Sequence, residues 1–200
     1  MRIEDLHRPG KGHILDALCE AFHDYPVMTY TLAGAGPAYD VHLRALINSF
    51  CENRLSRNHP IYAIRSGHRV LAAAVVSGPT QTPDSPELKE IHSQLDQLIG
   101  PDAVDRLAKY DDVCFAGEPN SPPHYLGMLG VRNDHQGQGL GRSLVEHIKS
   151  FVRLDPDSTR ICLNTETDAN VPIYERLGFT VIHESGIDDV HTRCMFWKSD

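Results

Sequence analysis

A glycine-rich segment between a strand and a helix constrains the fold of this chain more than any other feature. Residues 136–141 read Gln-Gly-Gln-Gly-Leu-Gly. They follow a strand predicted at His124–Val131 and a polar turn at residues 132–135, and they lead into an amphipathic helix predicted at Leu140–Val152. Glycine lets a ligand approach the backbone, and the first N–H groups of a helix lack partners, so this junction suits an anion such as a pyrophosphate. A glycine-rich turn that binds nothing is the alternative.

Two common nucleotide-binding motifs do not fit this segment. A dinucleotide-binding loop has the spacing Gly-x-Gly-x-x-Gly, but the third position after Gly139 is Arg142. A P-loop ends in Gly-Lys-Ser or Gly-Lys-Thr, and that sequence is absent. Both nucleotide interpretations therefore fail on spacing.

Helices and strands alternate along the rest of the chain. The elements predicted before the glycine segment are helices at residues 12–22 and 39–55, hairpin strands at 61–64 and 70–76, a loop at 78–86, helices at 87–98 and after Pro101, and a turn-rich passage at 111–123. Those predicted after it are a strand at 160–164, a helix at 171–177, and strands at 179–182 and 192–197. Strands and helices joined by short links predict an α/β fold with a mixed sheet, at least one parallel strand pair, and helices covering the sheet.

Composition narrows the class of protein. A hydrophobic fraction of 40% and a charged fraction of 23% are ordinary for a globular protein, and no break in composition divides residues 1–200, so one domain is expected. The net charge of −8 argues against nucleic-acid binding and mildly favours a cationic substrate. No apolar run resembles a signal peptide or a membrane span, which predicts a cytoplasmic protein with no membrane partner.

The cysteines and histidines give no sign of a metal site. The five cysteines are scattered without a Cys-x-x-Cys pair, and the twelve histidines include no His-Glu-x-x-His spacing. We therefore expect neither a disulfide framework nor a bound metal ion.

The pattern that residues 136–141 do fit is Gln-x-x-Gly-x-Gly. The segment HYLGMLGVRNDHQGQGLGRSLVEHI resembles the cofactor motif of the GNAT superfamily of N-acetyltransferases. The later segment ICLNTETDANVPIYERLGF resembles that family's following strand and its Asn-x-Pro-x-Tyr-x-x-x-Gly-Phe stretch. The resemblance covers residues 124–196, whereas the N-terminal half matches only in the order of its elements. It implies a GNAT-type fold: a mixed twisted sheet with flanking helices and a splayed parallel strand pair.

The resemblance also implies a set of residues that bind acetyl-CoA. The backbone of the strand at His124–Val131 would pair with the pantetheine arm, and the loop with the start of the next helix would hold the pyrophosphate. The N–H of Leu129 would face the thioester oxygen and act as a small oxyanion hole. The implied cofactor-binding residues are Leu129, Gly130, Val131, Gln136, Gly137, Gln138, Gly139, Leu140, Gly141, Arg142, Ser143 and Asn170.

Tyr174 resembles the family's tyrosine that protonates the departing thiolate. A phenol has a pKa near 10 and is protonated at neutral pH, which suits this role. A core aromatic on an amphipathic helix is the alternative. Attack by an amine also requires loss of a proton, and His124 is the first candidate base because it opens the cofactor strand and imidazole titrates near neutrality. A surface histidine is the alternative for His124.

Other candidates for the base are Tyr125, Glu118 and Asp112, and the absence of a single base is also open. The predicted acceptor pocket is formed by the end of the first helix, the loop after it and the ends of the two central strands. Its residues are Phe22, Tyr25, Met28, Tyr30, Tyr125 and Glu166. For the aromatic residues the alternative is a hydrophobic cap on the sheet, and for Glu166 it is a solvated carboxylate beside a helix.

The sequence therefore predicts a transferase that moves an acetyl group from acetyl-CoA to a primary amine of a small molecule or peptide. The amine would attack directly, because no cysteine stands beside a histidine-bearing motif that would form a covalent intermediate. A catalytically silent acyl-CoA-binding regulatory module is the alternative. The oligomeric state is left open, a homodimer included.

Overall fold

The structure, a computed structural model, describes residues 3–5, 11–80, 82–115 and 122–199. The strands are β1 (Ile3–Asp5), β2 (Ile61–Ser66), β3 (Arg69–Ser77), β4 (His124–Val131), β5 (Arg160–Thr165), β6 (Thr180–Ile187) and β7 (Val190–Lys198). The helices are α1 (Lys11–Phe22), α2 (Pro26–Thr31), α3 (Tyr39–Leu55), α4 (Pro86–Ile99), α5 (Pro101–Phe115), α6 (Leu140–Val152) and α7 (Val171–Arg176).

The seven strands form one mixed sheet in the order β1-β2-β3-β4-β5-β7-β6. Neighbouring strands run antiparallel except β4 and β5, which are parallel and pair through only two residue pairs, His124 with Ile161 and Tyr125 with Cys162. Beyond Tyr125 the two strands separate. The predicted mixed sheet with a splayed parallel pair is therefore confirmed.

A β-bulge in β4 changes which face of the sheet its side chains reach. Val75 pairs with Met128 while the next residue, Val76, pairs with Leu126, so Gly127 is an extra residue in β4. Side chains alternate along a strand, and one extra residue therefore reverses the alternation. As a result Leu126 packs into the core beneath α6, whereas Met128 packs into the core beneath α1 and α3.

Each face of the sheet has its own hydrophobic core because each is covered by amphipathic helices. On one face, α6 buries a stripe that recurs every three or four residues. These buried residues are Leu140, Leu144, Val145, Ile148 and Val152. The other face is covered mainly by α1 and α3, and residues of α4 and α5 join the same core. The binding cleft lies on this second face.

Two details of the predicted elements were wrong. The turn-rich passage predicted at 111–123 is helical at its start, because α5 continues to Phe115; residues 116–121 lie outside the described part. The helix α2 and the strand β1 were not predicted, since each is too short to show a period. No described helix has both the length and the apolar character needed to cross a bilayer.

Candidate functional site

A cleft of about 620 Å³ opens where β4 and β5 separate. Its walls come from the end of α1, α2, α3, α5 and the bulged part of β4, and Tyr174 and Asn170 line its end near α7. A cleft of this size can hold a small molecule or the end of a larger one. The binding site therefore lies where β4 and β5 are no longer hydrogen-bonded to each other.

The open edge of β4 presents backbone N–H groups toward the gap. The N–H of Arg132 donates to the carbonyl of Leu71 in β3 at 2.9 Å. Because N–H groups of successive strand residues point to opposite edges, Gly130 also points toward β3, whereas Leu129 and Val131 point toward β5. β5 has already diverged there, so these two N–H groups are left for a ligand. This orientation agrees with the register expected from the resemblance.

The loop at residues 136–141 has a backbone suited to an anion. Gly137 and Gly139 have φ of 74° and 78°, and a Cβ atom on either would meet no protein atom within 4 Å. The first backbone bond of α6 runs from the N–H of Ser143 to the carbonyl of Gly139 at 2.9 Å. The N–H groups of residues 140–142 therefore have no acceptor within the helix. Open space above a turn of unpartnered donors can accept a phosphate.

Side chains hold this loop in place. The amide Nε2 of Gln136 donates to the carbonyl of Val131 at 3.3 Å and to Asn133 Oδ1 at 3.1 Å. Gln138 Nε2 donates to the carbonyl of Asp134 at 3.5 Å, and Ser143 Oγ donates to the carbonyl of Gly139 at 3.0 Å. The glutamines therefore position the loop, while Arg142 and Ser143 are exposed at the helix start.

A side chain would meet different surroundings at Gly130 and at Gly141. A Cβ atom on Gly130 would lie 2.9 Å from Leu18 Cδ2 and 3.0 Å from Ala21 Cβ, so Gly130 allows α1 to pack closely on β4. A Cβ atom on Gly141 would make only ordinary contacts with side chains of β4, the nearest at 3.6 Å. Gly130 thus supports the packing behind the strand.

Tyr174 lines the cleft from α7, with Asn170 at the start of the same helix. The carbonyl of Asn170 accepts the N–H of Tyr174 at 3.0 Å, and Asn170 Nδ2 donates to Thr165 Oγ1 at 3.1 Å. The ring of Tyr174 packs edge-on against Phe179 at 5.7 Å between centroids. Burial raises the pKa of the Tyr174 phenol, and the neighbouring Tyr25 and Glu166 raise it further. Tyr174 is therefore a neutral hydrogen-bond donor at every physiological pH.

Glu166 lies at the end of β5 and is almost fully buried in the cleft. Its Oε1 accepts hydrogen bonds from Tyr110 Oη at 2.6 Å and Thr192 Oγ1 at 2.9 Å. Its backbone N–H donates to Tyr25 Oη at 3.2 Å. Burial raises the pKa of the Glu166 carboxyl, against the effect of these hydrogen bonds. Both of these side-chain bonds end on Oε1, and the Tyr25 hydroxyl acts on the carboxylate as well.

His124 does not line the cleft. It is 2% exposed and packs against Phe151 of α6, with Nε2 3.0 Å from Asp155 Oδ2. Leu126, two residues along the strand, packs beneath the same helix. Burial lowers the pKa of the imidazole, and Asp155 opposes this shift. The structure thus places the first candidate base on the α6 face of the sheet, because His124 precedes the bulge.

Most of the predicted acceptor pocket is brought together. Phe22, Tyr25, Met28 and Tyr125 line the cleft with Glu166. Tyr30 does not, because it lies on α2 facing Asp188 and α5. Of the other candidate bases, Asp112 is exposed and does not line the cleft, and Glu118 lies outside the described residues.

Several polar residues of the cleft were missed from sequence, among them Arg54, His59 and Tyr110. Arg54 and His59 come from the end of α3 and the loop after it, and Tyr110 comes from α5. Each stands in a helix or turn with no motif around it, and none adjoins the glycine segment. Only the packing of α3 and α5 beside β4 and β5 brings them to the site.

The fold and the cleft together define a GNAT-type α/β protein. Over residues 112–192 the chain matches the family model for the acetyltransferase (GNAT) domain. This match confirms the resemblance to that family over residues 112–192.

Solved structures share this fold at low sequence identity. The Corynebacterium glutamicum protein named histone acetyltransferase HPA2 and related acetyltransferase superposes with a TM-score of 0.72 at 19% identity, over 97% of this chain and 93% of that one. Arylalkylamine N-acetyltransferase 2 from Aedes aegypti superposes with a TM-score of 0.62 at 14% identity, over 98% of both chains. An agmatine N-acetyltransferase superposes with a TM-score of 0.60 at 15% identity, over 99% of both chains.

One relative is more similar in sequence over a shorter stretch. A 5-NmdU N-acetyltransferase of Pseudomonas phage PaMx11 is 35% identical over 74 residues. That match covers 36% of this chain and 50% of the phage protein. The chain thus spans about half the length of this curated relative.

Proposed function

We propose that this protein transfers an acetyl group from acetyl-CoA to an amine by direct attack of the amine. The observation that carries the proposal is the open edge of β4, where the N–H groups of Leu129 and Val131 point away from β3 and Leu129 lines the cleft that Tyr174 also lines. Free backbone donors and a neutral phenol beside one gap are the groups that acyl transfer from a thioester requires. The names of the relatives above, all acetyltransferases, support this class of reaction.

The residues present fit acetyl-CoA, which supplies an acetyl group activated as a thioester. The gap beside β4 can take an extended amide-containing arm, because Leu129 and Val131 offer donors there. The loop at 136–141 can take the pyrophosphate, since the space above Gly137 and Gly139 is open and the N–H groups of α6 face it. Arg142 adds a positive charge at the same helix start.

The reaction forms a bond between the acceptor nitrogen and the acetyl carbon and breaks the bond between that carbon and sulfur. The N–H of Leu129 stabilises negative charge on the carbonyl oxygen. The Tyr174 hydroxyl gives its proton to the departing sulfur, and burial keeps that proton in place beforehand because it raises the phenol pKa. The nitrogen loses its extra proton as the amide forms, and this proton restores the Tyr174 hydroxyl directly or through water.

Glu166 is the base that accepts a proton from the attacking amine, a role for which His124 was the first candidate from sequence. It is the buried carboxylate of the cleft, it interacts with Tyr174 and Tyr25, and its raised pKa makes it a better proton acceptor than an ordinary glutamate. Glu166 binds the acceptor ammonium through its carboxylate and accepts a proton from it, directly or through water. The amine is thereby made nucleophilic next to the β4 edge.

Two measurements, ligand binding first and turnover second, test the proposal. A thermal-unfolding scan compares acetyl-CoA, CoA and NAD at equal concentration, because a ligand at a hundred times its Kd adds about 2.7 kcal/mol to the free energy of unfolding. We expect a rise in Tm with acetyl-CoA and CoA and none with NAD. Release of free thiol in the presence of amines then measures transfer. Binding without transfer to any amine would favour a silent acyl-CoA-binding module, and no binding would remove the basis of the proposal.

A further inference from the structure

Arg54 occupies an unusual position for an arginine. It lies near the end of α3 and lines the cleft, with one terminal nitrogen 3.0 Å from the point that a Cβ atom on Gly127 would occupy. Gly127 is the bulge residue of β4, and its missing side chain makes room for the guanidinium. The bulge therefore allows Arg54 to lie against the backbone of β4, two residues before Leu129.

The donors of Arg54 are left without acceptors in the described part of the chain. Its Nε is buried and has no hydrogen-bond partner, and no described carboxylate forms an ion pair with the guanidinium. Asp111 acts on it electrostatically, and burial raises the pKa of the Asp111 carboxyl to about 6, but no hydrogen bond or ion pair joins these two described side chains. A half-buried cation with unused donors is unfavourable unless something else in the cleft satisfies them.

Arg57, one turn further along the chain, provides a contrast. Its Nη1 donates to Asn53 Oδ1 at 2.7 Å, its Nε donates to the carbonyl of Thr82 at 3.3 Å, and its Nη2 forms an ion pair with Asp84. These bonds tie the end of α3 to the loop after β3, so Arg57 has a structural role. The neighbouring Arg54 lines the ligand cleft and makes no such contacts with the residues that the structure describes.

We infer that Arg54 binds a carboxylate of the acceptor, so that the acceptor is an amino acid or another amine that carries an acidic group. The inference rests on the proposed amine acetylation. A guanidinium pairs with a carboxylate through two parallel N–H···O bonds, and the unused donors of Arg54 offer this geometry.

The charges of the cleft have two poles that match such an acceptor. Glu166, beside Tyr174, attracts the amine, and Arg54, beside Gly127, attracts the acid. A singly charged carboxylate suits the site better than a phosphate, because Glu166 and Asp111 would repel a second negative charge. These groups act at contact range, so they outweigh the weak attraction for cations that the net charge of −8 exerts.

The test uses matched pairs of acceptors on the whole chain. Gly127 and Leu129 are two residues apart, roughly 7 Å along a strand, so the panel runs from α-amino acids to 6-aminohexanoate. Each acid is paired with its carboxamide, which keeps the amine and the shape but removes the charge. Thiol release gives kcat and KM, and titration of each compound into the CoA-saturated protein gives binding without turnover.

We expect at least one acid to exceed its amide tenfold or more in kcat/KM, mainly through KM. Arg54→Gln should lower kcat/KM for that acid roughly 10- to 100-fold and leave the amide nearly unchanged. Arg54→Lys should recover part of the preference, which also guards against loss of folding in Arg54→Gln. Arg44→Gln removes the same charge from the exposed part of α3, outside the cleft, and should preserve the preference.

The outcomes separate this inference from the proposed function. Tighter binding of the acid than of the amide, lost in Arg54→Gln, supports the carboxylate site even if no acetyl transfer is detected. Equal binding of acid and amide by the wild-type protein overturns it even if amines are acetylated. An acid preference that persists in Arg54→Gln overturns it too.

Discussion

Substitution of Gly139 by alanine tests the glycine loop most directly. Its φ of 78° is left-handed, and this conformation costs alanine about 1–2 kcal/mol. Alanine also restricts the unfolded chain, which returns about 0.4–1 kcal/mol. We therefore expect the free energy of unfolding to fall by about 1 kcal/mol, which lowers Tm by about 2–4 °C in a chain of this size. No clash within the protein adds to this, because a Cβ atom at Gly139 would meet no protein atom within 4 Å.

The effect on ligand binding should be larger than the effect on stability. The same methyl group enters the space where the proposed pyrophosphate approaches the loop, so the rise in Tm with CoA should largely disappear in Gly139→Ala. Gly100→Ala is the control, since Gly100 also has a positive φ, 80°, and open surroundings, and it lies at the end of α4, outside the loop. Its ψ of 166° is one that alanine adopts even less readily than the left-handed conformation of Gly139, whose ψ is 9°.

Differential scanning fluorimetry with a CoA titration measures both effects. Without ligand, Gly100→Ala should lose at least as much stability as Gly139→Ala, and only Gly139→Ala should lose the response to CoA. A full CoA response in Gly139→Ala would refute the assignment of the phosphate site. Loss of the response in Gly100→Ala as well would show that global destabilisation, rather than local obstruction, controls binding.

Further predictions concern the acid, the packing of α1 and the buried histidine. Tyr174→Phe should lower kcat by roughly 10²- to 10⁴-fold, the contribution of a general acid, with CoA affinity unchanged in titrations; equal activity would exclude the role. Gly130→Ala should lower the free energy of unfolding by about 1–3 kcal/mol, because its methyl group would lie 3.0 Å from Ala21 Cβ. Gly141→Ala is the control: this residue lies inside α6 and its methyl group would make only ordinary contacts, so the change should be neutral or stabilising. Denaturant titrations of both variants measure the difference. Burial lowers the pKa of His124, so the unfolded state binds a proton at a higher pH than the folded state does, and the free energy of unfolding should fall as the pH drops below about 6.5. In His124→Gln this part of the pH dependence should vanish. An unchanged pH profile in that variant would contradict the assignment.

Much of the C-terminal half could be predicted because its signals are local. The alternation in β4 and the stripe of α6 each lie within a few residues of one another, and the glycines between them mark a turn whose conformation other residues adopt poorly. The same holds for Asn170 and Tyr174, which one short helix places on the cleft.

The wrong prediction for His124 shows what a pattern within a single strand cannot reveal. A regular strand would put His124 and Met128 on the same face, but the extra residue at Gly127 puts them on opposite faces. A glycine inside a strand can mark a bulge, but β4 contains both Gly127 and Gly130, and only the register with β3 shows that Gly127 is the extra residue.

By itself, the sequence determined the order of the second-half elements, the resemblance to the GNAT family, and the loop and tyrosine that the proposed acetyl transfer uses. Each follows from residues close together in the chain, where spacing translates directly into geometry. Only the tertiary structure decided which charged groups meet the acceptor. Arg54 lies on α3, Tyr110 on α5 and Glu166 directly after β5, far apart in sequence. They share one cleft because these elements pack around the gap that the diverging β4 and β5 leave open.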